Sequence, residues 1–203
     1  MEELNELLIF IQHKYNLLLS EWQNNKNYEK LNMKKLQVRD VYYDEKLLSY
    51  IFTYRDFLSD RFSAIMNELE NLNINYEVNG RIKSLNSIQY KIKNYKTNHE
   101  NGKILIKKCL NDLLGFRIIF NCDIDYNSVN NYVNANFPKL KCIKSERESY
   151  KAIHIYFGND NNKNFQWELQ LWDKQHEKSN LKSHAKYKQA YIKWEKEKIR
   201  GGV

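Results

Sequence analysis

Two carboxylates stand where phosphate chemistry could use them. Asp112 comes just ahead of the apolar segment Phe116-Arg-Ile-Ile-Phe120. Glu168 lies within Phe165-Gln-Trp-Glu-Leu-Gln-Leu171, where alternation sends Phe165, Trp167, Leu169 and Leu171 to one side of a strand and Gln166, Glu168 and Gln170 to the other, opposite the core. An Asp at the mouth of one strand and a Glu on another can share a hard divalent cation such as Mg2+, which accepts one or two carboxylates and completes its shell with substrate phosphates. Spacing alone leaves a plainer reading open, because an Asp before a strand also serves as a helix or turn residue. Upstream, Gly80-Arg-Ile-Lys-Ser-Leu-Asn-Ser87 brings together two cations and two hydroxyls. Arg81 and Lys83 share one side of an extended segment. Ser84 or Ser87 can cap the following helix, whose N-terminus attracts phosphate. The segment reads as a phosphate cradle but not as a Walker loop, because the G-K-[ST] ending is absent.

These residues need elements to position them. Leu4, Leu7, Leu8, Ile11, Tyr15 and Leu18 recur at three-and-four spacing and predict an amphipathic helix over 2–20. Leu47, Leu48, Ile51, Leu58, Phe62, Ile65, Met66 and Leu69 predict a second over 45–70. Period-2 segments begin later, at 116–120, 140–144, 152–157 and 165–171, and predict four strands of one sheet. Helical patterns return at 84–95, 103–113, 126–135 and 174–198. The expected class is α+β, a mixed sheet flanked by helices, with a helical N-terminal region over 1–79 packed on a core over 80–203.

Length and composition narrow the function classes. The chain has 203 residues, 42% hydrophobic and 14% aromatic, enough for a sizeable core in one domain with an appendage or in two small lobes. No apolar run approaches the ~18 residues of a spanning helix, and the acidic start Met1-Glu-Glu-Leu-Asn-Glu6 is unlike a signal peptide, so the cytoplasm is the expected compartment and no membrane partner is expected. Cys109, Cys122 and Cys142 are odd in number and lack C-x-x-C spacing, which reads as three buried thiols. The net charge of +8 is uneven: residues 81–108 hold 8 basic residues and 1 acidic, and 174–203 hold 9 and 3, around a nearly neutral middle. Such blocks suit a polyanion, nucleotide phosphates or RNA. Lys91, Lys93 and Lys96 in the first block, and Lys178, Lys182 and Lys186 in the second, are candidate RNA contacts, with some of the first set able to face a nucleotide instead.

Taken in order, Gly80-Arg81-Ile-Lys83-x-x-x-Ser87, Asp112-x-x-Gly115-x-Arg117-Ile, Tyr150-x-x-x-His154 and Glu168-x-Gln170 resemble the synthetase domain of the RelA/SpoT-type alarmone synthetases, over residues 80–188. That resemblance implies a nucleotidyltransferase-like fold and an enzyme moving the β,γ-pyrophosphoryl unit of ATP to a ribose 3′-hydroxyl, commonly of GDP or GTP. It implies Arg81, Lys83 and Ser87 on the ATP phosphates, Arg117 stacked on adenine, and Asp112 and Glu168 on Mg2+. Glu168 would also take the attacking hydroxyl's proton, with Gln170 in support. Tyr150 would be the platform for the acceptor base, with His154 and Arg147 beside it.

The chain departs from the family pattern on the acceptor side. Ser149 replaces the usual Gly before the tyrosine, Glu146 a usual Lys, and Trp172 the Arg that follows E-x-Q by two. About eighty residues precede the cradle and fifteen follow Lys188, a layout similar to the toxic small alarmone synthetases of toxin–antitoxin pairs, several of which pyrophosphorylate the 3′-CCA end of tRNA. Three readings follow: a pyrophosphokinase acting on tRNA, with a possible cognate antitoxin; a GDP/GTP alarmone synthetase; and a module that binds RNA without catalysis. DNA is not an expected partner.

Overall fold

The computed structural model describes residues 1–25, 31–72, 75–147, 149–158, 160 and 162–200, apart from the side chains at 186–188, 190, 191, 193 and 195–200. Helix α1 (Glu2–Asn24) buries Leu4, Leu7, Leu8, Ile11, Tyr15, Leu18 and Trp22, one stripe of a 3.6-residue period. A short α2 (Val38–Tyr43) follows, and then α3 (Glu45–Glu70), whose N-cap Asp44 accepts from the backbone N–H groups of Lys46 and Leu47. Strand β1 (Val78–Ile82) leads into α4 (Leu85–Asn98), a single turn α5 (Ile106–Cys109), β2 (Leu114–Phe120) and α6 (Tyr126–Asn136). The hairpin of β3 (Lys141–Arg147) and β4 (Tyr150–Phe157), strand β5 (Trp167–Asp173) and the long α7 (Lys174–Arg200) complete the chain.

The sheet has five strands in the order β1-β2-β5-β4-β3, mixed because β2 and β5 run parallel while the other pairs are antiparallel. The expected α+β class is what the chain adopts. One face carries Phe116, Ile118, Ile153, Ile155, Phe157, Trp167, Leu169 and Leu171 into the same core as α1 and α3. Tyr15 meets Trp167 edge-on at 5.3 Å, and Trp22 packs against Tyr50, Tyr54 and Phe57. Gly80 lets α3 close on β1, since a Cβ there would run into Met66 and Phe62. No helix among the described residues is long and apolar enough to cross a membrane.

Several expectations are corrected. The sheet has a fifth strand, β1, which begins ahead of the cradle. The helix expected over 103–113 is one turn, because the backbone at 104–106 is tied instead to 36–38, through Val38 N–H to Ile104 O, Ile106 N–H to Leu36 O and a bridge of Gln37 to Leu105. The last strand is 167–173, not 165–171: β4 pairing ends at Phe157 opposite Trp167, and the Phe165 carbonyl accepts from the Tyr15 hydroxyl instead. Of the three cysteines only Cys109 is buried; Cys142 is half-buried and Cys122 exposed.

Candidate active site

The second face of the sheet is the floor of a cleft of about 1010 Å3 walled by α4 and α7. Strand alternation fixes what lines it. Parallel register sets Gly115 beside Glu168 and Arg117 beside Gln170, while antiparallel register sets Tyr156 opposite Glu168 and His154 opposite Gln170. On the outer strands Arg81 lies opposite Gly115, and Arg147 opposite Tyr150. The face opposite the core, where Glu168 was expected, is itself covered: Glu168 and Gln170 are each 5% exposed at the bottom of the cleft.

One end of the cleft is ionic. Lys83 follows β1, where its N–H continues the ladder to Leu113 O and its carbonyl accepts from the Arg55 guanidinium of α3. Its ammonium donates to Asp112 Oδ2 at 2.7 Å, and Lys91, in the second turn of α4, donates to Oδ1 at 3.0 Å. The Arg81 guanidinium stands 3.6 Å from Oδ2. Burial pushes the Asp112 carboxyl up, but the charges of Lys83, Lys91 and Arg81 outweigh it and hold Asp112 well below the usual carboxylate range. The two lysines are unequal partners: burial and the neighbouring Lys91 lower Lys83, whereas at Lys91 the attraction of Asp112 overcomes burial and raises it. Ser84 caps α4 by accepting from Ser87 N–H and donates to the Ser87 hydroxyl at 2.8 Å, so the helix N-terminus opens beside this cluster. Lys91, a candidate for RNA or a nucleotide, faces the cleft with its side chain largely covered against Asp112.

The middle of the floor is a hydrogen-bonded lattice. Glu168 Oε1 accepts from His154 Nδ1 at 2.8 Å and from the Tyr156 hydroxyl at 3.0 Å, and Oε2 accepts from Gln170 Nε2 at 2.7 Å. Burial raises the Glu168 carboxyl, and His154 and Gln170 more than offset it, leaving it lowered. With Nδ1 donating to the carboxylate, His154 Nε2 accepts from the Tyr150 hydroxyl at 2.9 Å.

The far end is aromatic. Tyr150 is 9% exposed, with its ring edge-on to Trp172 at 6.1 Å and to His184 of α7 at 5.5 Å. Burial pushes its hydroxyl up to about 12. The Arg117 guanidinium lies 3.7 Å over the Trp172 ring. His184 stacks on Trp172; burial and the charges of Arg117 and Arg81 push its imidazole down to about 4, and its Nε2 has no hydrogen-bond partner among the described residues. Helix α7 is pinned over this end by buried Asn180, whose amide exchanges two 2.8 Å hydrogen bonds with the Lys151 backbone. Lys178 and Lys182 face outward on α7, and Lys93 is exposed on α4 with its ammonium over the Trp194 ring. The side chain of Lys186 lies outside the described residues, as does Glu148.

The structure thus brings Arg81, Lys83, Ser87, Asp112, Arg147, Tyr150, His154, Glu168 and Gln170 to one cleft, with Arg117 at its floor. Spacing did not mark Arg55, Tyr156 or His184, since each reaches the site through a partner distant in sequence. The donor set fits a hard cation only in a shared form. Among the described residues no three His, Cys, Asp or Glu side chains gather as a cage, but two carboxylates in one cleft suit a metal that substrate phosphates complete.

Comparison with known proteins gives a family and two structural likenesses. Residues 80–191 match the region found in RelA/SpoT proteins. Small alarmone synthetase 1 from Bacillus subtilis superposes with a TM-score of 0.42 at 17% identity, covering 79% of this chain and 98% of that one. The same protein bound to AMPCPP gives 0.36 at 18%, covering 78% and 96%. No curated protein matches the chain in sequence.

Proposed function

The chain belongs to the RelA/SpoT family, whose region spans residues 80–191, and from that premise we propose that it is an ATP-dependent pyrophosphokinase acting on a ribose 3′-hydroxyl. The observation that carries the proposal is the meeting, in one cleft, of the Arg81–Lys83–Lys91–Asp112 ion cluster with the hydrogen-bonded Glu168. ATP phosphates would lie against Arg81, Lys83, Lys91 and the Ser87 turn, where guanidinium, ammonium and helix N–H groups meet negative charge. The acceptor's 3′-oxygen bonds to the β-phosphorus as the bond from that phosphorus to the α,β-bridging oxygen breaks. AMP leaves with the electron pair, and Glu168 takes the hydroxyl proton. Asp112 and Glu168 would hold Mg2+, which when bound neutralises charge on the phosphates. Arg117 would stack on adenine on leaving Trp172, a contact of the same planar kind.

For the acceptor we favour the 3′ end of tRNA, in a protein acting as a translation-inhibiting toxin. Support comes from Ser149, Glu146 and Trp172 in place of the usual acceptor residues, and from the outward lysines Lys178 and Lys182 on the helix that walls the cleft. An acceptor stem would lay its phosphates on that face. A second reading, GDP or GTP as acceptor, is supported by the cleft volume of about 1010 Å3, roomy enough for two nucleotides. Protein incubated with γ-labelled ATP, Mg2+ and either deacylated tRNA or GDP/GTP separates the two. Label on tRNA alone is expected. Label on the guanine nucleotide alone moves the assignment to alarmone synthesis, and no label on either leaves the non-catalytic RNA-binding reading.

A further inference from the structure

Tyr156 belongs to none of the motifs that carry the family likeness, yet it stands directly opposite Glu168 in the β4–β5 register, on the cleft face. Its hydroxyl reaches Glu168 Oε1 at 3.0 Å, and His154, one step along the same strand face, reaches that oxygen at 2.8 Å. A carboxylate oxygen offers two lone-pair directions, so these two donors fill Oε1. Among the described residues Oε2 accepts only from the Gln170 amide, at 2.7 Å, which leaves one direction open. The open oxygen is also the one turned toward the ionic end: a Cβ built on Gly115 would lie 4.0 Å from both Glu168 Oε2 and Arg81 Nε, so the space between them is the notch that glycine leaves.

We propose that Tyr156 is a positioning residue that, with His154, closes Oε1 and thereby leaves Oε2, facing Arg81 and the phosphates, as the one oxygen through which Glu168 reaches either the cation or the acceptor's proton. The assignment rests on the pyrophosphokinase reading above for its chemical meaning, but the hydrogen bond itself does not. Without the phenol hydroxyl the carboxylate can turn, and the fraction of complexes with Oε2 toward the acceptor falls. Because the Tyr156 hydroxyl is spent on Glu168, its loss should leave ATP and acceptor binding unchanged.

Tyr156→Phe keeps the ring and removes only the hydroxyl. Expected are a folded protein whose melting temperature falls by a few degrees, as loss of one hydrogen bond to a charged group entails, unchanged KM for ATP and acceptor, and a kcat lowered about ten-fold or more. A second measurement needs no turnover: infrared difference spectra of the ligand-free protein, with the Glu168 carboxylate band identified as the one lost in Glu168→Gln. That band should shift in Tyr156→Phe. An unshifted band, an unchanged kcat, or a raised KM at constant kcat would each overturn the proposal. Absence of pyrophosphoryl transfer by the unaltered protein would instead fell the enzymatic reading, while the infrared arm still decides whether Tyr156 holds the carboxylate.

Discussion

The two ends of the cleft are built by different forces. At the ionic end three cations surround one buried carboxylate, so each group holds the others in place before any ligand arrives. At the aromatic end Tyr150, Trp172 and His184 pack together, and the last comes from α7, a helix pinned to β4 through Asn180. Charge pairing assembles the proposed phosphate site from the ends of neighbouring strands and one helix. If an acceptor binds at the aromatic end as proposed, packing under a distant helix would make its access depend on where that helix lies. With Tyr150 only 9% exposed, a base that stacks on it must displace the α7 side chains that now cover it.

The largest effects should come from the two carboxylates, and they should differ in kind. Glu168→Gln removes the proton acceptor, and kcat should fall about 100- to 1,000-fold with little change in melting temperature. Asp112→Asn should reduce activity to a similar degree and also destabilise the fold by about 3–5 kcal/mol, because Lys83 and Lys91 are left buried without their counter-charge. Denaturant unfolding of both variants checks this. Equal stability would mean that the cluster is no more self-supporting than the rest of the cleft.

Next in size is Tyr150→Ala. Base stacking contributes about 1–3 kcal/mol, so the acceptor's KM should rise while ATP affinity, measured by calorimetry, stays constant. Equal loss of ATP binding would erase the distinction between the two ends.

The ends should also respond to acid in separate windows. His184, held neutral in the fold with its imidazole lowered to about 4, takes up a proton more readily when unfolded. Its contribution to stability is therefore full above the unfolded value near 6.5 and is lost as pH falls toward 4. The lowered carboxyl of Asp112 gives a contribution present above the unfolded value near 4 and lost below it. Melting temperatures from pH 7 to 4 should decline, and His184→Phe should flatten that decline without touching the steeper loss at lower pH.

The smallest effect is at the surface. Lys178→Ala combined with Lys182→Ala should lower tRNA modification several-fold with ATP binding unchanged. The salt dependence of tRNA binding should flatten by about one unit for each phosphate that a lysine no longer neutralises. Unaltered tRNA modification at physiological salt would make these lysines a solvated face.

How legible each end was in the sequence follows from the same difference. Arg81, Lys83, Asp112 and Glu168 stood out because charged residues at fixed strand positions have few places to go, and alternation put Glu168 on the right face. Lys91 was legible only as one basic residue of a Lys-rich block, since its helix also carries exposed Lys93 and only packing separates the two. Tyr156 and His184 were hidden among fifteen tyrosines and five histidines, and only cross-strand register and helix packing give them meaning. The short α5 misled for a physical reason: Ile106, Cys109, Leu110 and Leu113 are all fully buried, and burial on every side mimics the spacing of one helical face.

A cleft that moves two phosphates together, from ATP to a ribose hydroxyl, must release AMP at every turnover. Phosphorus NMR of the complete reaction, with ATP, Mg2+ and acceptor, tests it most directly. Expected is AMP in equal amount to a new 3′-pyrophosphate on the acceptor, both abolished by Glu168→Gln. ADP as the nucleotide product, or AMP released with free pyrophosphate and an unmodified acceptor, would contradict it.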